Sequence, residues 1–294
     1  MEENSHKWPK SDKLEYSRRR RILCSFSILL IFPVSIAISH FFCFLYKRVN
    51  CDTEILVCAS LLYSVGFAVL LIPVMWYLRT FKPFPVLLLF CECFGLVLVL
   101  VAFKRHLISS LDDMAASDPP AFAAFQSYVA AACIEECVKL MVFATPLVFY
   151  KRCRTVYNAI FFGCVSGVSF ATIENLIICH KGLTIAVQRF LWCTATHTSD
   201  SLVGILLFLY MKSADHPLVP DKWYFYPFVF ILPVVFHGTF DFCIYYGQVT
   251  ERTWVSAMSI LIGALSLTLC LGMFLPFRRR KSTVVKTSVL PTNF

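Results

Sequence analysis

Residues 121–150 read AFAAFQSYVAAACIEECVKLMVFATPLVFY, an apolar run whose only charged residues are Glu135, Glu136 and Lys139. At about 1.5 Å per residue such a run is long enough to cross a hydrocarbon core of about 30 Å as a helix. A charged side chain at the centre of a bilayer costs roughly 2.5–3.5 kcal/mol on insertion scales. Three of them in one segment therefore predict an interior stripe that serves a function, not a lipid-facing surface. Glu135 and Lys139 are i, i+4 and Glu136 and Lys139 are i, i+3, so each pair can meet on one helical face and lower the cost of burial.

The rest of the chain has the same character. Its 294 residues are 58% hydrophobic and 15% charged, with a mean hydropathy of +0.70, which excludes an ordinary soluble domain. Apolar segments near 22–46, 55–78, 84–103, 121–150, 157–179, 186–211, 224–247 and 252–276 are each long enough to span. Lipid offers no partner to an unpaired peptide group, and the alternation of barrel strands is missing, so the spans are helices. The expected fold is an all-α, polytopic membrane bundle of about eight transmembrane helices. Residues 1–21 read as a basic cytosolic leader, 22–276 as a single membrane-embedded domain, and 277–294 as a basic cytosolic tail.

Most of the 27 Lys and Arg fall on one side if the N-terminus is cytosolic: Arg18 to Arg21, Arg79, Lys82, Lys151, Arg152, Arg154, Lys212, Lys222 and Arg278 to Lys281. Lys47, Arg48, Lys104, Arg105, Lys181, Arg189 and Arg252 fall on or near the other side. Both termini are therefore expected in the cytosol. The net charge of +9 is then mostly a topology signal, with attraction to anionic lipid beside the first and last helices. No folded basic domain is available to present these residues to nucleic acid. The first apolar run is too long for a typical cleaved signal peptide. Nothing in the sequence selects a host membrane. The 14 cysteines lie mostly within apolar helices, where a free thiol is a small packing residue, and no CxxC spacing suggests a zinc ribbon.

Six of the 18 acidic residues lie inside apolar segments: Glu92, Glu135, Glu136, Glu174, Asp200 and Asp241. All but Glu92 belong to the fourth to seventh segments, which also carry His197, His237, Lys139 and Arg189. His237 and Asp241 are i, i+4 and can pair. Such concentration predicts one shared polar site, reached near mid-membrane or in its non-cytosolic half. Glu92 reads as a lone hydrogen-bonded carboxylate, and Asp200 either orients His197 or bonds a neighbouring helix. Gly163 and Gly167 form a small-xxx-small face that lets a neighbouring backbone approach just before Glu174 and Asn175.

Four motifs run through these helices in order. Glu135-Glu136-Cys137-Val138-Lys139 fits EExxK, Phe170 to Asn175 fits FxxxEN, His197 and Gly204 frame HTSDSLVG, and His237 to Asp241 fits HxxxD. In this order, over residues 121–245, the chain resembles the PrsW family of intramembrane proteases, a branch related to the CAAX prenyl proteases. The resemblance implies an intramembrane endopeptidase acting on a membrane protein or lipid-anchored peptide. It implies catalytic work for Glu135, Glu136, Lys139, Glu174, Asn175, His197, His237 and Asp241, with Glu135 or Glu136 as general base.

The family is described as metalloprotease-like. Glu174, His197 and His237 are the ligand types of a catalytic zinc (Zn2+) with an open position for water, and Asp241 would serve as ligand or as a partner of His237. The related CAAX-type enzymes carry His and Asn where this chain has Glu174 and Asp241, and an ionised Asp241 cannot donate to an oxyanion. HExxH is absent, as are the signatures of rhomboid and presenilin-type proteases. An ion- or proton-coupled transporter also places carboxylates and histidines inside a bundle, and a non-catalytic membrane binding protein could use the same cavity. No internal repeat or pair of broken helices supports transport.

Overall fold

The computed structural model describes residues 58, 61–63, 66, 83–109, 117–149, 156–178, 183–212 and 226–279. Among these the chain is helical throughout, in the order α1 (Pro83–Ser109), α2 (Pro119–Ala124), a π-helical stretch (Phe125–Cys133), α3 (Ile134–Phe149), α4 (Val156–Ile178), α5 (Leu183–Leu191), α6 (Cys193–Lys212), α7 (Tyr226–Val249) and α8 (Thr253–Arg279). The expected leader, the first apolar segment with His40, nearly all of the second, and the tail beyond Arg279 lie outside the described residues. Among the described residues three helices are long and apolar enough to cross a membrane: Asn158–Ile178, Tyr226–Val249 and Thr253–Leu275. The protein is an integral membrane protein whose described part is all-α.

Two of the expected segments take a different form. The described part of the fourth segment, with the two prolines before it, forms one continuous rod in three parts, from Pro119 to Phe149. Asp118 caps it by accepting the Ala121 N–H at 3.1 Å, ahead of Pro119 and Pro120, whose missing N–H groups cost nothing in a first turn. The middle of the rod, FQSYVAAAC, winds as a π-helix, a form that is rare beyond single turns and frequent at functional sites. Residues 186–211 are not one helix: a turn at Trp192 separates the short amphipathic α5 from α6. Leu183, Val187, Leu191 and Trp192 face outward there, while Ala186 is buried and Tyr63 Oη donates to its carbonyl at 2.9 Å.

Helix α4 is the axis of the bundle. Of its most apolar window 94% is buried, against 28% for α7 and 22% for α8, which turn Leu261, Leu265 and Leu271 outward as lipid-facing helices do. It packs on α1, α3, α5 and α6, and α7 closes the other side against the π stretch, α6 and α8. Small residues set the spacing. A Cβ on Gly167 would lie 2.7 Å from Thr198 Cα and 2.9 Å from the His197 carbonyl, so α4 and α6 touch backbone to backbone beside His197. Pro233 in α7 has no N–H for the carbonyl of Val229, and Gly204 of α6 seats against that oxygen, where a Cβ would come within 2.5 Å.

Candidate active site

The site lies where α3, α4, α6 and α7 meet beneath α1. Glu135 and Glu136 open α3 straight after the π stretch, His197 lies in the first turns of α6, and His237 is in the middle of α7. The two imidazoles meet edge to face with centroids 4.8 Å apart. Lys139 Nζ donates to Glu136 Oε1 at 2.5 Å and to His197 Nδ1 at 3.0 Å, and lies 5.1 Å from the centre of the Phe170 ring. Glu136 Oε1 also takes the Nδ1–H of His237 at 2.8 Å. An ammonium has no lone pair, so His197 Nδ1 must be the acceptor and its Nε2–H donates to Glu174 Oε2 at 2.9 Å.

Glu136 is thereby the central strut of the site, tied to both Lys139 and His237. Glu135 is differently placed. One of its oxygens takes the ammonium of Lys104 from α1, while Oε2 is buried without a hydrogen-bond partner and faces His237 Nε2 at 3.4 Å. Asp241 Oδ2 faces the same nitrogen at 3.5 Å. Glu174 shares Arg189 with Asn175: Arg189 Nη2 reaches Glu174 Oε1 at 2.9 Å, and Arg189 Nε donates to Asn175 Oδ1 at 2.8 Å. Asn175 in turn donates to Thr194 at 3.2 Å, locking α4 to α5 and α6.

Exposure sorts these groups into a floor and a rim. Glu135, Glu136, Lys139, His197 and His237 are at most 6% exposed, whereas Lys104, Glu174, Arg189 and Asp241 are 20–23% exposed. The rim side holds the C-terminal ends of α1, α4 and α7 and the N-terminal end of α6, as Lys104, Glu174, Asp241 and His197 place it. On the cytosolic-N-terminus reading this is the non-cytosolic side.

The residues named from sequence are placed as follows. The set that could grip a metal is Glu135, His197 and His237, whose ligand atoms all lie within 4.8 Å of one another, rather than the expected Glu174, His197 and His237. Arg189 is the reason: it draws Glu174 to the rim, where that carboxylate accepts from His197. Asn175 is a strut for Arg189 and Thr194, not a group open to substrate. Asp200 bonds Ser266 of α8 instead of turning toward His197, and its Oδ2 is buried without a partner. Glu92 stands apart from the site as a hydrogen-bonded carboxylate, with Thr145 donating to it at 2.7 Å.

Lys104 is the site residue that sequence reasoning missed, because a lysine near a helix end reads as a topology signal. Lys104 comes directly after the apolar run 84–103, and only the continuation of α1 to Ser109 shows that it still belongs to the helix. Tyr128 of the π stretch was missed too. It bonds Thr239 at 2.9 Å and fills the space over Gly238, next to His237.

The donor set suits a divalent metal. With its Nδ1–H given to Glu136, a neutral His237 presents the lone pair of Nε2 to two carboxylate oxygens, an arrangement that calls for a cation or a proton between them. Two histidines with one carboxylate is also a common ligand set of catalytic zinc.

Carboxylates and imidazoles gathered inside a membrane helix bundle are the groups of a membrane-embedded hydrolase. The comparisons name its kind. Residues 82–267 match the PrsW family intramembrane metalloprotease, and the chain belongs to that family. It is similar to the Protease PrsW of Geobacillus kaustophilus (strain HTA426), 25% identical over 173 residues, 58% of this chain and 71% of that protein. No solved structure matches. The protein is an intramembrane protease, a hydrolase of peptide bonds with protein substrates.

Proposed function

We propose that this chain is a multi-pass endopeptidase that cuts membrane proteins or lipid-anchored peptides at the rim of the bundle, with Glu135 as the group that takes the proton of the attacking water. The observation that carries this reading is the free, buried Oε2 of Glu135 facing His237 Nε2 at 3.4 Å. A water between them would have an acceptor on one side and an imidazole on the other. Glu136 holds His237 with its Nε2 lone pair turned into the site, whereas His197, bonded by Lys139 at Nδ1 and by Glu174 at Nε2, would have to release one of those two bonds to join a metal. Asp241 stands beside His237 Nε2, and Glu174 accepts from His197, so each ring is oriented by a carboxylate neighbour. The leaving amine regains its proton from Glu135.

Glu135, His197 and His237 would hold a divalent metal, zinc by ligand type. When bound, it would supply a polarised water and charge for the developing oxyanion. A carboxylate has two oxygens, so coordination through one leaves the other to accept a proton.

The wider organisation belongs to the same proposal. About eight spans form one domain over 22–276, both termini lie in the cytosol, and the leader over 1–21 and the tail over 277–294 rest against anionic lipid. A closed polar floor beneath a rim that turns to one face favours hydrolysis over transport.

Purified protein in detergent, given a single-pass membrane substrate, tests the roles. Glu135→Gln, Glu136→Gln, His197→Ala and His237→Ala are expected to lose about 100-fold or more in cleavage rate while remaining helical. Retention of full rate by Glu135→Gln would assign the base elsewhere. Loss of activity with a chelator, and its return with zinc, would establish the metal.

A further inference from the structure

Three glutamates meet at the site, and each has its own cation: Lys104 on Glu135, Lys139 on Glu136, Arg189 on Glu174. The three cations are not held alike. Lys139 is 2% exposed and is fixed by Glu136, by His197 Nδ1 and by the face of Phe170. Arg189 is held twice, by Glu174 and by Asn175. Lys104 has Glu135 as its hydrogen-bond partner among the described residues, carries its ammonium on a flexible four-carbon stem, and is 22% exposed at the rim. It is the cation that can move, and its partner is the glutamate that sits with both histidines.

We infer that Lys104 is a displaceable counter-ion of the metal site: its ammonium stands on Glu135 while the site is empty of metal, and it yields that carboxylate when a divalent cation enters. Lys104 stands on Oε1 of Glu135 and the metal would take the free Oε2 that faces His237, and two positive charges on the two oxygens of one carboxylate repel strongly in a floor this buried, so each loosens the other's hold. The ammonium has somewhere to go. Glu174 and Asp241 stand at the same rim within electrostatic reach of Lys104, and Asp241 has no hydrogen-bonded cation of its own among the described residues. The exchange is a substitution of one cation for another, with no change in covalent bonding and no proton released from the lysine. Lys104 thereby keeps Glu135 ionised and aligned before metal arrives, and sets how tightly the site holds it.

This inference rests on the proposed metal set, and two measurements on the full-length protein in detergent separate the two. In the first, the unmodified protein is treated with an amine-acylating reagent with and without Zn2+ alone, and each lysine is quantified by mass spectrometry. Zinc is expected to raise modification of Lys104 several-fold while Lys139 stays protected, and Glu135→Gln is expected to expose Lys104 whether or not zinc is present. In the second, zinc affinity is measured by competition with a chromophoric chelator. Lys104→Met is expected to bind zinc about tenfold tighter or more, because the competitor for Glu135 is gone, while Lys104→Arg binds no tighter than the parent.

Zinc bound by the parent and lost in His237→Ala, with Lys104 modification unchanged by zinc, overturns the counter-ion role and leaves the metal site standing. Equal or weaker zinc binding by a folded Lys104→Met overturns it as well. No zinc binding by the parent removes the metal reading itself and this inference with it. The labelling experiment needs no variant, so a failure of Lys104→Met to fold does not shield the inference.

Discussion

Replacing Gly167 by alanine probes the seam that places His197. The added methyl would stand 2.7 Å from Thr198 Cα, 2.9 Å from the His197 carbonyl oxygen and 3.1 Å from Ser201 Oγ. Carbon atoms rest at about 3.5–4.0 Å, so α6 must retreat by roughly 0.8 Å, and the two nearest atoms are backbone that cannot rotate away. Overpacking of that kind costs about 1–3 kcal/mol, and a displacement near 1 Å at a reacting group costs about 100-fold in rate. Gly163, one turn earlier on the same face, supplies the control. Its methyl would meet Ile205 Cδ1 at 2.3 Å, the far end of a flexible side chain that can change rotamer. Gly167→Ala is therefore expected to lose about 100-fold in cleavage rate and to melt earlier in detergent, with Gly163→Ala close to the parent. Both variants can be compared by cleavage of a single-pass substrate and by circular dichroism on heating. Equal behaviour of the two, or full activity in Gly167→Ala, would refute the claim that backbone contact at this seam sets the position of His197.

Other perturbations give equally definite outcomes. Lys139→Met leaves Glu136 and His237 without their buried cation and is expected to destabilise by about 3–5 kcal/mol, whereas Lys139→Met combined with Glu136→Gln recovers much of that loss, as chemical or thermal unfolding would measure. Asn175→Leu frees Arg189 and Thr194 together, with an expected cost of about 1–3 kcal/mol and slower cleavage. Gly238→Ala drives a methyl to 2.3 Å from the Tyr128 ring and should depress activity, while a second change, Tyr128→Leu, should restore part of it; a double variant no better than Gly238→Ala would exclude Tyr128 as the obstacle.

Much of the arrangement could be read from residue pattern because membrane burial makes charge expensive. Glu135, Glu136, Lys139, His197, His237 and Asp241 stood out as groups no lipid-facing helix would carry, and helical spacing gave Glu136 with Lys139 and His237 with Asp241, whereas Glu135, expected to meet Lys139 as well, pairs with Lys104 instead. Partners between helices were less legible. Lys104 lies 31 positions before Glu135 and meets it only because α1 packs against the rod of Pro119–Phe149. The choice of Glu135 over Glu174 beside the histidines depends on Arg189, a residue of α5 that had been counted with the charges on or near the non-cytosolic side. The π winding of residues 125–133 left no trace that hydrophobic periodicity could detect, since Ala-rich sequence favours an ordinary helix and tertiary contacts with α7 decide otherwise. The turn at Trp192 was hidden by apolar residues on both sides of it.

The enclosure of α4 has a consequence for how the enzyme matures. A segment as greasy as Asn158–Ile178 is competent to enter a bilayer by itself, and at that stage fatty acyl chains must surround it on every side. In the finished molecule nearly all of that solvation has been stripped off and replaced by neighbouring helices. Assembly is therefore a trade of acyl chains for protein around a single staff, and since Glu174 and Asn175 ride on that staff, a half-assembled chain would be catalytically silent: activation and the last step of helix association are one event.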